Sequence, residues 1–188
     1  MTTTDTRETI MAIARLMVQA RGYNALSFRD LAKEVGIKSA SIHYHFPTKG
    51  DLGAALARRY ADDAMAYLEG LLADSADLRT CIKSYLGLFR AALLNDNRMC
   101  LYGIMAAERD DLPIEVRIEV DRFSEVNVRW LVKLLSRRKS AAGTEPLQQQ
   151  ALAIFAAIEG AQLVARGRGE IAVFDKTIEA YRVAGLLP

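Results

Sequence analysis

The chain has 188 residues, 51% of them apolar, with a net charge of only +2. That apolar content suits a folded core in one large or two small domains and excludes a disordered chain. Two cysteines without a CxxC pair exclude a disulfide framework, a polar Met1–Asp5 start has no apolar signal core, and no run of ~18 apolar residues suits a transmembrane helix, so a cytoplasmic protein is expected, with no membrane partner.

Four prolines, at 47, 113, 146 and 188, fall at or near element boundaries. Between them run long stretches rich in Ala, Leu, Ile and Arg, which predict an all-α fold of about nine helices. The first covers roughly 6–21, with Ile10, Ile13, Ala14 and Met17 as its apolar stripe and Gly22 as its stop. The second opens at Ser27, where Asp30 completes a capping-box pattern. Phe28, Leu31, Ala32 and Val35 point inward, and Gly36 supplies a left-handed turn. A third covers roughly 38–45 and is stopped by Pro47. Two short helices around a glycine turn form a helix-turn-helix, and the second of them fits a DNA major groove.

A long fourth helix starts at Thr48, with Asp51 in its first turn, and runs to about residue 73. The fifth, from Leu78 to near Asn95, follows a break at 74–77, and a shorter sixth covers about 98–108. Asp110-Asp111-Leu112-Pro113 predicts a new start, with an acidic cap ahead of a first-turn proline. Val116, Val120, Phe123, Asn127, Trp130 and Leu134 then share one helix face, and Arg137-Arg138-Lys139 suits its C-terminal end. Residues 140–145 read as a polar linker. Pro146 opens an eighth helix over roughly 147–166, and a ninth spans about 171–185.

Charge is unevenly placed. Residues 1–50 hold seven Lys/Arg against four Asp/Glu, and residues 51–188 hold 18 against 19. A basic front end on a near-neutral body is a mild nucleic-acid signal.

The helix order and the segment Ile42-His-Tyr-His-Phe46-Pro-Thr-Lys49-Gly-Asp-Leu52 resemble the TetR family of transcriptional regulators. The resemblance is specific over about residues 6–52; beyond them only helix count and spacing match. It implies a homodimer with a DNA-binding head (residues 1–47) and a helical ligand-binding and dimerisation body (residues 48–188). A small-molecule effector would release a double-stranded DNA operator, usually to relieve repression. Lys49 matches the family's lysine at the start of the fourth helix, expected on a phosphate near that helix N-terminus. Tyr44 and His45 are expected to contact phosphate or brace the recognition helix. Ser39, Ala40, Ser41 and His43 are expected to face the groove, with Ser27, Arg29 and Lys38 beside them. Lys38 stands where the family often has a capping Ser or Thr, so Ser39 is expected to cap instead. His43 stands where Tyr is common.

The body offers two readings at each candidate position. Tyr85, Phe89, Met99, Tyr102, Met105, Phe123 and Trp130 are either lining for an effector pocket or plain core. Asn127 and Glu108 lie on or beside apolar stripes, where a ligand, a water or an ordinary partner side chain would satisfy them. Cys100, close in sequence to Arg98, is either a reactive thiol or a small buried residue. The first reading would make the protein a redox or electrophile sensor; family members that answer to electrophiles carry a cysteine in a similar stretch. Ala153, Ala156, Ala157, Gly160, Ala161 and Val164 on the eighth helix suit either a dimer face or a close crossing within the chain. His43 and His45 are about 200° apart on a helix and cannot share one metal ion. No Ser/His/Asp set or phosphate loop suggests an enzyme, and no cofactor is implied. A protein-interaction module built on the small-residue helix is the remaining alternative, and it would show no salt-dependent DNA affinity.

Overall fold

The structure is a computed structural model that describes residues 3–75, 77–137 and 143–188. Arg138, Lys139 and linker residues 140–142 lie outside the described residues, as do Met1 and Thr2 of the N-terminal start. Among the described residues there are nine α-helices and no strand. They fall into two compact units.

The first unit comprises Met1–Ala61 and Leu101–Phe123. It holds α1 (Thr3–Arg21), α2 (Phe28–Val35), α3 (Ser39–His45), the front of α4 (Lys49–Asp74), α6 (Leu101–Ala107), a 3-10 turn at Arg109–Asp111 and the front of α7 (Ile114–Leu135). Its core gathers Ile10, Ala14, Val18, Leu31, Ile42, Leu52, Met105 and Val116, all buried. Met11 and Val18 are more deeply buried than Ile13 and Met17, so the inward stripe of α1 is rotated from the expected one. Gly53 marks a close approach: a Cβ there would come within 2.6 Å of the Tyr23 ring.

The second unit comprises Asp62–Cys100 and Ser124–Pro188. It holds the back halves of α4 and α7 together with α5 (Leu78–Leu94), α8 (Thr144–Arg168) and α9 (Ile171–Val183). Leu68, Ile82, Tyr85, Phe89, Trp130, Leu134, Ile154, Ile158 and Phe174 form its core.

Helix starts account for most departures from the sequence reading. Ser39 does not cap α3: it is the first helical residue, and Lys38 holds the cap position without a side-chain bond. Asp110 and Asp111 do not cap α7; they occupy the 3-10 turn. The Pro113 carbonyl instead accepts from the Val116 and Arg117 amides, which suits a residue with no N–H of its own. Pro146 is the third residue of α8, which starts at Thr144; the first turn of a helix tolerates a missing N–H. α6 begins only at Leu101, because Asp96 and Asn97 take left-handed φ values of 59° and 52° and turn the chain.

Candidate nucleic-acid interface and effector-binding residues

The recognition element is held from both ends. Ser27, the N-cap of α2, accepts the Asp30 amide at 3.4 Å, and Gly36 ends that helix with φ +78°. Gly36 then sends its N–H back to Ala32 and Lys33, closing the turn into α3. After α3, Thr48 and Asp51 make a reciprocal capping box: the Asp51 amide donates to Thr48 Oγ1 at 3.0 Å and the Thr48 amide to Asp51 Oδ2 at 2.9 Å.

Between these anchors α3 has two clear faces. Ile42 and Phe46 are buried, at 0% and 2% exposure. Ala40 and Tyr44 point away from them, Tyr44 at 76%. Lys38 and Ser39 are exposed beside Ala40, and Ser41 is half-buried. Arg29 on α2 leaves its side chain almost wholly in solvent.

His43 is exposed yet tied down. Its ring meets Phe28 edge-on at 4.9 Å, and Nδ1 lies 3.2 Å from the Pro47 carbonyl. Its neighbour His45 is half-buried against the Tyr44 ring at 5.1 Å. Lys49 is also engaged: Nζ donates to the Asn24 carbonyl at 3.1 Å and sits 4.5 Å from the centre of the Tyr23 ring. Burial pushes the Lys49 ammonium down from its ordinary value, and Glu108 pulls it part of the way back.

Glu108, at the C-terminal end of α6, grips the same turn. Its Oε2 accepts the Tyr23 amide at 2.6 Å and the Asn24 amide at 3.3 Å. Asn24 Nδ2 donates to Asp111 at 2.7 Å. Gly22, with φ +90°, leaves room for this carboxylate, and any Cβ there would collide with it. Glu108 is thus satisfied by backbone amides of its own unit, a partner the sequence reading did not name. No local pattern announced the contact, because its partners lie some 85 residues away.

Three comparisons bear on this geometry. The sequence profile of bacterial regulatory proteins, tetR family, matches residues 10–56. A TetR transcriptional regulator from Legionella pneumophila has 31% identity and a TM-score of 0.87, covering 94% of this chain and 95% of its own. The chain belongs to the TetR family of transcriptional regulators. The HTH-type transcriptional repressor NemR of Escherichia coli K12 is 28% identical over 179 residues, 86% of this chain and 84% of NemR. The HTH-type transcriptional repressor KstR2 of Rhodococcus jostii is 28% identical over 78 residues; that match spans 42% of this chain and 38% of KstR2.

In this TetR-family regulator the effector candidates divide between the two units. Tyr102, Met105, Glu108 and Phe123 belong to the first. There Phe123 stacks on Tyr60 at 4.9 Å and on Tyr102 at 5.5 Å, while Met105 is fully buried. Tyr85, Phe89, Met99, Cys100, Asn127 and Trp130 belong to the second, and all are buried. Tyr85 lies 5.2 Å from Phe89 and 4.9 Å from Trp130, ring to ring. The Tyr85 hydroxyl donates to Asn127 Oδ1 at 2.9 Å, which gives that buried amide an ordinary partner. The Trp130 indole donates to the Leu68 carbonyl at 2.6 Å.

Cys100 is 2% exposed. Arg98 directs its terminal nitrogens to Asn95 and Asp96, so its charge is engaged at that turn. The thiol instead faces the Glu159 carboxylate.

Along α8, Ala153 and Ala156 are exposed, Ala157 and Gly160 are half-exposed, and Val164 is 51% exposed. Ala161 is a correction: at 1% exposure it belongs to the unit's own core and not to this face. Leu152 and Leu163, at 56% and 60%, extend the exposed apolar face, and the small-residue pattern does not contain them. Among the described residues no helix is long and apolar enough to cross a membrane, and no cluster of His, Cys, Asp or Glu suits a metal ion.

Proposed function

We propose that this chain is a homodimeric transcriptional repressor of the cytoplasm that binds a near-palindromic double-stranded DNA operator and leaves it when a small-molecule effector binds the body. Residues 1–47 serve as the DNA-binding head and residues 48–188 as the ligand-binding and dimerisation body. The observation that carries the reading is α3, a short helix with Ile42 buried, Phe46 buried just past its end, and Ala40 and Tyr44 turned out. Such a helix enters the major groove by its exposed face while neighbouring basic groups meet phosphate. Arg29, Lys38 and Lys49 are suited to phosphate, Ser39, Ala40, Ser41 and Tyr44 to the groove, and His43 and His45 to bracing. The bracing role follows from the Phe28, Pro47 and Tyr44 contacts of the two histidines.

Dimerisation is supported by the exposed Leu152, Ala156, Leu163 and Val164 face of α8. Two recognition helices on a two-fold axis read half-sites about one helical turn apart. The effector acts only by binding the two states unequally, so operator weakens effector binding by the same factor that effector weakens operator binding. The competing reading, a switch by modification of Cys100, is less well supported. The thiol is 2% exposed and faces the Glu159 carboxyl rather than the Arg98 guanidinium.

The test is fluorescence anisotropy with the DNA just upstream of the protein's own gene, against scrambled DNA, at low and near-physiological salt. Tight binding to the real sequence alone at the higher salt is expected. Weak, sequence-blind binding at both salts refutes the assignment at that operator.

A further inference from the structure

The second unit pairs its buried polar side chains one by one. Tyr85 is bonded to Asn127, and Trp130 to the Leu68 carbonyl. Gln162 accepts the Cys100 amide at 2.9 Å and donates to the Phe89 carbonyl at 2.7 Å. Among the described residues, the buried side-chain atoms left without a hydrogen bond are Arg98 Nε and both carboxylate oxygens of Glu159. The Arg98 head is still served through its terminal nitrogens. Glu159 meets only the weak S–H donor of Cys100.

Glu159 lies one turn before Gln162 on the flank of α8, and both its oxygens are shielded from solvent although the residue as a whole is half-buried. Its neighbours are the Cys100 thiol and the Tyr85 ring. A thiol is a weak donor, and the Tyr85 hydroxyl proton is already committed to Asn127. Desolvation drives the Glu159 carboxyl up to about 7, against a smaller opposing pull from Cys100. The protein thus buries a carboxyl that faces only a weak thiol donor, beside an aromatic cluster whose other polar atoms are paired. That is half of a recognition site.

We propose that Glu159 anchors the effector site and that the effector carries a protonated amine, amidine or guanidine on an apolar body. This rests on the ligand-responsive reading above and adds the ligand's chemical class. An ammonium or guanidinium supplies the missing donors and compensates the buried charge. The Tyr85, Phe89 and Trp130 rings suit both the cation and its apolar body. A ligand carboxylate would be repelled. A ligand carbonyl would need the protonated acid and would bind more tightly as pH falls, the opposite sign.

The experiment is calorimetry on the full chain without DNA, above the Glu159 midpoint of about 7. The probes are phenethylamine, naphthylmethylamine and octylamine, each against its alcohol counterpart. At least one amine is expected to bind about tenfold or more tightly than its alcohol. The preference should weaken as pH falls through the midpoint, vanish in Glu159→Gln and survive in part in Glu159→Asp. Equal binding of amine and alcohol overturns the proposal. So does a preference that persists in Glu159→Gln, tighter binding at low pH, or no saturable binding of any amine to ~10 mM, the weak end of useful affinity. Operator anisotropy is a separate measurement: specific DNA binding without amine preference sinks the ligand class alone, and absent DNA binding sinks the regulatory reading alone.

Discussion

Replacing Glu159 by Gln should make the protein relatively more stable at alkaline pH. Glu159 has an ordinary pKa of 4.5 and a folded-state value of about 7, raised by burial. The folded state therefore prefers the protonated acid. At pH well below 4.5 both states hold the proton and the site is neutral with respect to pH. As pH rises from 4.5 to 7 the unfolded chain ionises first, and stability is lost until the folded acid ionises too. The interval 7 − 4.5 = 2.5, at ~1.4 kcal/mol per pH unit, corresponds to about 3 kcal/mol in full, of which about 2–3 kcal/mol falls between pH 5 and pH 8. Tyr85, pushed well above 10 by its burial, stays protonated throughout and adds nothing to this window. The Glu159→Gln variant keeps the shape and an unpaired amide without the titration. The measurement is urea unfolding of both proteins at pH 5 and pH 8, at one chain concentration so that any self-association contributes equally to both. The stability of the Glu159→Gln variant relative to the parent chain should rise by about 2–3 kcal/mol between the two pH values. Other titrating groups cancel in that difference. A change below ~0.5 kcal/mol refutes the reasoning, since the carboxylate would then be solvated or paired in the folded state.

Four further outcomes follow from the same geometry. Tyr44→Ala should leave the unfolding midpoint unchanged, because the side chain is 76% exposed, yet weaken operator binding about tenfold; unchanged affinity in anisotropy removes Tyr44 from the interface. Glu108→Ala should cost about 1 kcal/mol and speed hydrogen exchange at the Tyr23 and Asn24 amides, with exchange at Leu31 as the unaffected control; equal protection at all three denies the latch. Leu163→Glu places a charge on the exposed apolar face of α8 and should shift sedimentation toward a monomer, whereas a sedimentation profile like that of the parent chain would move the dimer contact elsewhere. Cys100→Ser should retain the full effector response, and loss of that response would favour the thiol as the switch.

The helix-turn-helix was legible because its signals are local. A cap, a left-handed glycine and a proline act within one turn of where they stand, so Ser27, Gly36 and Pro47 place α2 and α3 almost to the residue. The misplaced starts of α6, α7 and α8 share one cause. Each depended on which of several adjacent polar residues met the helix end, and backbone geometry decided it: left-handed φ at Asp96 and Asn97, a carbonyl from Pro113, and a start two residues ahead of Pro146. Ala161 could not be told from the exposed small residues in the sequence because small residues repeat all round α8, and composition alone does not say which arc the core claims.

Glu108 and Glu159 show why the body was harder to read. In sequence each is a lone acid closing a short run of apolar residues, Met105-Ala-Ala107 before one and Ala156-Ala-Ile158 before the other. The fold gives them opposite fates. Glu108 meets two backbone amides on the α1–α2 turn, so its carboxylate is hydrogen-bonded locally and fixes a loop that also holds Lys49. Glu159 is turned toward the weak Cys100 thiol donor, beside hydroxyl and amide groups whose protons are already used, so its charge is poorly compensated within the protein. The difference lies in partners far away in the chain, which periodicity cannot report. An acid that the fold satisfies is a structural part; an acid that the fold shields and leaves unsatisfied is held for something else, because folding alone would favour an apolar residue or a paired one at that place.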